Sequence, residues 1–174
     1  MRHVALLLAA TALLISCGRA KESPKEKDAK APAAKTTAAP PITIAAWFGS
    51  EPLTLDGLKG KVVVLDFWNT TCGPCRKLMP HLAELYAKHK AEGLVVIGVT
   101  EDEKGDLEPY LKDNPAGYPI AMDSLKGGTG QTFDAYKIGS IPTVCLIARD
   151  GSLAWQGPGD ELTNAMVLAE LAKK

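Results

Sequence analysis

Val62-Val63-Val64-Leu65-Asp66-Phe67-Trp68 runs through Asn69-Thr70-Thr71 into Cys72-Gly73-Pro74-Cys75. The first seven residues form an apolar run with one carboxyl inside it, the pattern of a buried strand. Beyond the second cysteine, Leu78, Leu82, Leu85 and His89 recur at helical spacing. The two cysteines therefore stand at a strand-to-helix junction, with Cys72 at the helix N-terminus. Unpaired N–H groups and the helix dipole favour a thiolate over a thiol there. A thiolate separated by two residues from a second cysteine suits disulfide exchange.

The flanking sequence alternates strand and helix. Leu53–Leu55 reads as a short strand before the turn Asp56-Gly57, and the helix after the cysteines runs to about Ala91 before Gly93. Leu94–Thr100 is a second continuous apolar run, as expected of a strand covered on both faces. A helix over 105–113, a short strand over 118–122 and a helix over 129–136 follow. Thr143–Ala148 and Ser152–Gln156 flank Asp150-Gly151, a hairpin signal. Asp160 is placed to cap a last helix with Leu162, Met166 and Ala169 on one face. The succession βαβ, hairpin, helix predicts an α/β domain with a central mixed sheet and helices on both faces.

The N-terminal part has a different character. Met1-Arg2-His3 precedes an apolar run from Val4 to Ile15, too short to span a bilayer and suited to a signal peptide. It ends in Leu14-Ile15-Ser16-Cys17, which resembles the bacterial lipobox. That resemblance implies a lipoprotein signal peptide over 1–16, lipidation of Cys17 and a place in the cell envelope, outside the cytoplasm. The alternative is an ordinary secretory signal that contains a cysteine. Residues 17–40 read as the lipidated cysteine and an Ala/Lys/Pro-rich disordered tether, with no aromatic or large aliphatic side chain to offset the entropy of ordering. Residues 41–174 form one domain with 13 basic and 17 acidic side chains, a net charge of −4 that argues against nucleic acid as a partner.

In order and spacing, Leu58-Lys59-Gly60-Lys61 before the first apolar run, then Cys72-Gly73-Pro74-Cys75, Ile141-Pro142-Thr143 and Asp150-Gly151 resemble the thioredoxin fold. The chain is most similar to the membrane-anchored, extracytoplasmic thioredoxin-like proteins of the TlpA/ResA type. The likeness implies a lipid-anchored thiol–disulfide oxidoreductase facing the periplasm or the extracellular side. Its partners would be disulfide-containing or thiol proteins, with a membrane thiol protein as electron donor. It needs no cofactor, because the electrons travel through the two sulfurs. Two positions depart from the pattern. Thr71 stands where most relatives carry tryptophan, and Leu78 stands where the ResA-type cytochrome c maturation proteins carry glutamate.

Cys72 is the expected nucleophile and Cys75, one turn in, the resolving thiol. A permanent disulfide or half of a zinc site is the alternative, although one CxxC lacks the second ligand pair. Asp66 in an apolar strand should have a raised pKa. By resemblance it would exchange a proton with Cys75, unless its side chain points to solvent. The lysine that accompanies this aspartate in thioredoxin has no counterpart in 94–99. The resemblance implies a cis bond before Pro142, freeing the Ile141 backbone to bind an extended substrate by strand addition. Gly73, Pro74 and Trp68 complete the expected substrate surface, Trp68 reading equally as core. Pro80 falls inside the first helix. His81 and His89 lie on that helix as surface or packing residues, and Cys145, in an apolar strand, reads as a small buried hydrophobe or a third redox thiol.

Among functions, reduction of protein disulfides is favoured by Gly73-Pro74 and Ile141, with an oxidant of the DsbA type as the alternative. A peroxiredoxin would need threonine where Asn69 stands. A dithiol copper carrier would need a histidine on a later loop, and no metal site is expected.

Overall fold

The computed structural model describes residues 37–173. The proposed signal peptide, Cys17 and the tether up to residue 36 lie outside the described residues. Strands β1 (Thr37–Ala38), β2 (Ile44–Phe48), β3 (Val62–Trp68), β4 (Leu94–Thr100), β5 (Ile120–Asp123), β6 (Leu125–Lys126), β7 (Thr129–Gly130), β8 (Thr143–Ile147) and β9 (Ser152–Pro158) alternate with four α-helices. These are α1 (Gly73–His89), α2 (Lys104–Asp113), α3 (Gln131–Ala135) and α4 (Asn164–Ala172). Seven strands form one sheet in the order β1-β9-β8-β3-β4-β5-β2, and β6 and β7 form a separate pair. β3 runs parallel to β4, and β4 to β5; the β3–β8, β8–β9, β2–β5 and β1–β9 pairs are antiparallel.

β3 occupies the middle of this sheet and is buried along its whole length. Its side chains alternate between two apolar cores, as the two-residue period of a strand requires. Val62, Val64 and Trp68 pack with Cys75, Met79 and Leu82 of α1, Leu107 of α2 and Val167 of α4. Val63, Leu65 and Phe67 pack on the other face with Phe133 of α3, Tyr136 and Cys145. The Phe67 ring meets the Phe133 ring edge-on at 5.0 Å. The expected mixed sheet with helices on both faces is therefore the fold, with the long helices concentrated on the face of Val64 and Trp68. No helix among the described residues is long and apolar enough to cross a membrane.

Several local expectations need correction. Leu53–Leu55 is not a strand; Leu53, Leu55 and Leu58 cover the Val63–Phe67 face as side chains of a loop that ends in a short 3-10 turn. The strand lies earlier, at β2, paired antiparallel with β5. Asp160 does not cap α4. It sits in a 3-10 turn, and the cap is Thr163, whose Oγ1 accepts from Met166 N. The last residues assigned to the tether are integrated: Thr37 and Ala38 pair with Leu153 and Ser152, Ala39 N–H donates to Gly151 O, and Tyr136 donates to Pro40 O at 2.7 Å.

The segment leaving β5 is held by one buried side chain. Asp123 accepts from the backbone N–H groups of Ser124, Thr132 and Phe133 at 2.8–3.0 Å, which fixes the start of α3. Asp123→Ala would strand these donors and is expected to lower stability by about 3 kcal/mol. Urea unfolding measures it, and a loss below about 1 kcal/mol would mean that the amides find other partners.

Candidate active site

The cysteines follow directly from the end of β3. The turn between them is tied down by short side-chain bonds: Asn69 Oδ1 accepts from Thr71 N and Thr71 Oγ1, and Asp102 Oδ2 accepts from Thr70 N at 2.7 Å and from Thr100 Oγ1. Thr71 thus closes a local hydrogen-bonded turn at the position where relatives were expected to carry an indole. Cys72 is the N-cap of α1, with extended backbone, and Pro74 lies in the first turn, where a missing N–H costs nothing. Cys72 and Cys75 are joined as a disulfide, with Cα atoms 5.3 Å apart. Cys72 Sγ also accepts from Cys75 N–H at 3.2 Å. When the bond is reduced, the same amide is aimed at whatever negative charge develops on that sulfur. Cys72 is half-buried, and Cys75 has no exposed surface. An incoming disulfide therefore meets Cys72 first.

Asp66 lies on the face of β3 that packs against α1. It shares a strand face with Val64 and Trp68, the face on which Cys75 packs, so its side chain does not point to solvent and is fully buried. Burial pushes its carboxyl from an ordinary 3.8 up to about 7, against a hydrogen bond from Tyr118 that pulls it down. Tyr118 Oη donates to Asp66 Oδ2 at 3.0 Å. Oδ1 is buried without a hydrogen-bond partner. Burial and the neighbouring Asp66 hold the Tyr118 hydroxyl well above its ordinary range, so it stays a donor.

Gly98 makes this contact possible. It lies opposite Asp66 in the parallel β3–β4 register. A Cβ there would stand 2.6 Å from Ile120 Cδ1, 2.8 Å from Trp68 Nε1 and 3.2 Å from Tyr118 Cε2. The absent side chain is the space that these three groups occupy. Neither Gly98 nor Tyr118 stands out in the sequence as a site residue. The only available signals were a glycine within a buried apolar run and a tyrosine at the start of a short predicted strand.

The second edge of the site is the segment before β8. The Ile141–Pro142 bond is cis. Phe67 pairs with Thr143, which sets this segment beside the end of β3 from which the cysteines emerge. Pro142 O accepts from Gly159 N. A Cβ at Gly159 would collide with Leu78 of α1 and press on Pro142, so helix, proline and glycine are in contact. Leu78 fills with apolar contact the place where a ResA-type glutamate was expected. Among the described residues the Ile141 N–H and C=O have no backbone partner. Asn69, Glu101, Asp102 and residues 138–141 border a cleft of about 340 Å³. Trp68 adjoins that cleft but is buried, its ring tilted against Tyr110 at 5.7 Å. It supports the surface from beneath and does not present itself to a substrate. Gly73 and Pro74, by contrast, are partly or fully open to solvent.

The remaining candidates stand apart. Cys145 is buried in β8 opposite Leu65, and burial pushes its thiol up to about 12. That makes it a core side chain. His89 Nδ1 lies 3.0 Å from Glu92 Oε1 at the far end of α1. Among the described residues no three His, Cys, Asp or Glu side chains are grouped to hold a metal ion.

The model of the AhpC/TSA family matches residues 30–156. A thiol–disulfide oxidoreductase ResA of Bacillus cereus is 36% identical over 110 residues, which cover 63% of this chain and 61% of that protein. ResA of Bacillus subtilis is 33% identical over 102 residues, 58% of this chain and 55% of its own length. The aligned stretch thus spans less than two thirds of these relatives. Among solved structures, a Chlorobium tepidum protein assigned as the thiol:disulfide interchange protein DsbE superposes with a TM-score of 0.69 at 34% identity, covering 80% of this chain and 99% of that one.

An acid that titrates near 7 in the fold and near 3.8 in the open chain stabilises the fold in its neutral form. That contribution is complete below pH 3.8 and is lost as the pH rises through 7. Asp66→Asn cannot ionise. Between about pH 4 and about pH 8 it should gain on the wild type by roughly 4 kcal/mol. Urea unfolding of both oxidised proteins across this range checks the difference, and parallel pH dependences would contradict the assignment.

Proposed function

The chain belongs to the AhpC/TSA family, and on that premise we propose that it is a thiol–disulfide oxidoreductase of the cell envelope, lipid-anchored through Cys17, that reduces disulfides in proteins. The observation that carries this reading is the asymmetry of the pair: Cys72 is partly accessible at a helix N-terminus, and Cys75 is enclosed on the strand face that also holds the buried Asp66.

The chemistry follows from that asymmetry. The Cys72 thiolate attacks one sulfur of a substrate disulfide, forming a mixed disulfide and releasing the other substrate sulfur as a thiolate that takes a proton from solvent. An extended substrate segment lies along Ile141, whose backbone groups supply strand-like hydrogen bonds. Cys75 then loses its proton to Asp66, and its thiolate attacks Cys72 Sγ. The Cys72–Cys75 bond forms as the Cys72–substrate bond breaks, and the electron pair leaves on the second substrate sulfur. Two electrons have passed to the substrate. They are restored by a dithiol donor, which we assign to a membrane thiol protein because the anchor confines the enzyme to the membrane surface. Soft thiolate pairs also suit Cu(I), but no third ligand accompanies this pair among the described residues.

Equilibration against defined thiol–disulfide buffers should give a reduction potential near that of thioredoxin, about −270 mV; a value near that of DsbA, about −120 mV, would reverse the direction of flow. Cys75→Ser should accumulate a mixed disulfide with substrate, and Cys72→Ser should lower insulin reduction by at least about a hundredfold. Retained activity in Cys72→Ser would move the nucleophile elsewhere. Loss of membrane association in Cys17→Ser would bear out the anchor.

A further inference from the structure

We propose that Tyr118 is a positioning residue for Asp66: by donating its hydroxyl proton to Oδ2, it leaves Oδ1 as the oxygen through which a proton passes between Asp66 and Cys75. The inference rests on the oxidoreductase reading and deepens it.

The surroundings of Asp66 are almost free of polar groups. β4 presents Gly98 and β8 presents Val144 beside it, neither of which titrates. From α1, Cys75 is the titratable group in the apolar cluster on the same face of β3. From the segment before β5 it is Tyr118. Tyr110 of α2 acts on Tyr118 and is not among the influences on Asp66. Among the described residues no lysine, arginine or histidine contributes to the state of this acid. Among the described residues the Tyr118 hydroxyl is thus its one side-chain hydrogen-bond partner, at 3.0 Å, and Oδ1 has none.

Placement of the hydroxyl is set by the fold and not by the tyrosine alone. The ring edge occupies the space beside Gly98. Its other side faces an open cavity of about 420 Å³ lined also by Phe48, Ser50, Tyr86 and Pro119. With the ring edge against Gly98, the hydroxyl donates to Oδ2 and leaves Oδ1 as the buried oxygen without a hydrogen bond among the described residues. A carboxyl that accepts a fixed O–H at one oxygen carries its own proton on the other. In the resolving step, the proton of the Cys75 thiol therefore goes to Oδ1. When the Cys72–Cys75 bond is reduced by a donor dithiol, the proton on Oδ1 returns to the departing Cys75 sulfur. Because the hydroxyl donates to the ionised acid, it also favours ionisation, and its removal makes the acid harder to ionise.

The test is to follow the Asp66 carboxyl by carbon-13 NMR in the oxidised full-length protein as the pH is varied, in wild type, in Tyr118→Phe and with 3-fluorotyrosine at position 118. Tyr118→Phe keeps the ring and the cavity wall. Its midpoint should move to the alkaline side by at least about half a pH unit. Fluorotyrosine, a stronger donor, should move the midpoint to the acid side. The pH profile of kcat for insulin reduction should shift in the same directions, with KM unchanged. Midpoints that stay in place, or that move the same way in both variants, would overturn the role of Tyr118 while leaving wild-type turnover intact. Absence of turnover in the wild type would instead count against the oxidoreductase reading.

Discussion

A carboxyl group sealed inside an apolar strand is the constraint around which this domain is arranged. Moving an isolated charge into such a place costs far more than one hydrogen bond returns, which is about 1.5–3 kcal/mol when the acceptor is charged. With Tyr118 as its single donor among the described residues, Asp66 can be neither permanently ionised nor permanently neutral near pH 7. That balance exists because β3 is central and covered on both faces, because Gly98 leaves a gap on the neighbouring strand, and because α1 covers the face that holds the acid. Remove any one of these and the acid is either hydrated and ordinary or buried and inert.

The parts of the fold that were legible in sequence are those written in local chemistry. Val62–Trp68 and Leu94–Thr100 are unbroken apolar runs because both faces are buried. Asp150-Gly151 announces a hairpin because the turn demands those residue types. β2 was not legible: Ile44-Ala45-Ala46-Trp47-Phe48 is a half-buried edge strand with two small residues and a register shift, and its pairing with β5 is a long-range event. The site divides in the same way. Cys72, Cys75 and Asp66 are visible because each violates or punctuates its local pattern. Tyr118 is 52 residues from Asp66, and their contact depends on the β3–β4–β5 register and on a missing side chain, neither of which a linear reading carries. The strand next to Asp66 carries no cationic partner; the partner is a neutral hydroxyl from the segment that leads into β5.

The departures from the family pattern also acquire physical content. Thr71 trades a large apolar side chain for a hydroxyl that completes the Asn69 turn. Leu78 turns the first exposed turn of α1 into an apolar buttress for Gly159 and Pro142. Leu78 puts an apolar side chain where those relatives carry an acid, so Asp66 stands as the buried acid on the face of β3 that packs against α1.

The short strand β1 has a mechanical meaning. It joins β9 at Leu153 and Ser152, at the hairpin end of the sheet, whereas the cysteines emerge beside Thr143, at the other end of β8. A seven-residue strand such as β3 spans roughly 23 Å. A load applied at Thr37 would thus enter the domain at one pole and be borne by the hydrogen bonds to β9, a strand length away from the sulfurs. The cysteine-bearing end of the sheet thus lies about one strand length from Thr37, and a force applied at Thr37 would leave its geometry unloaded.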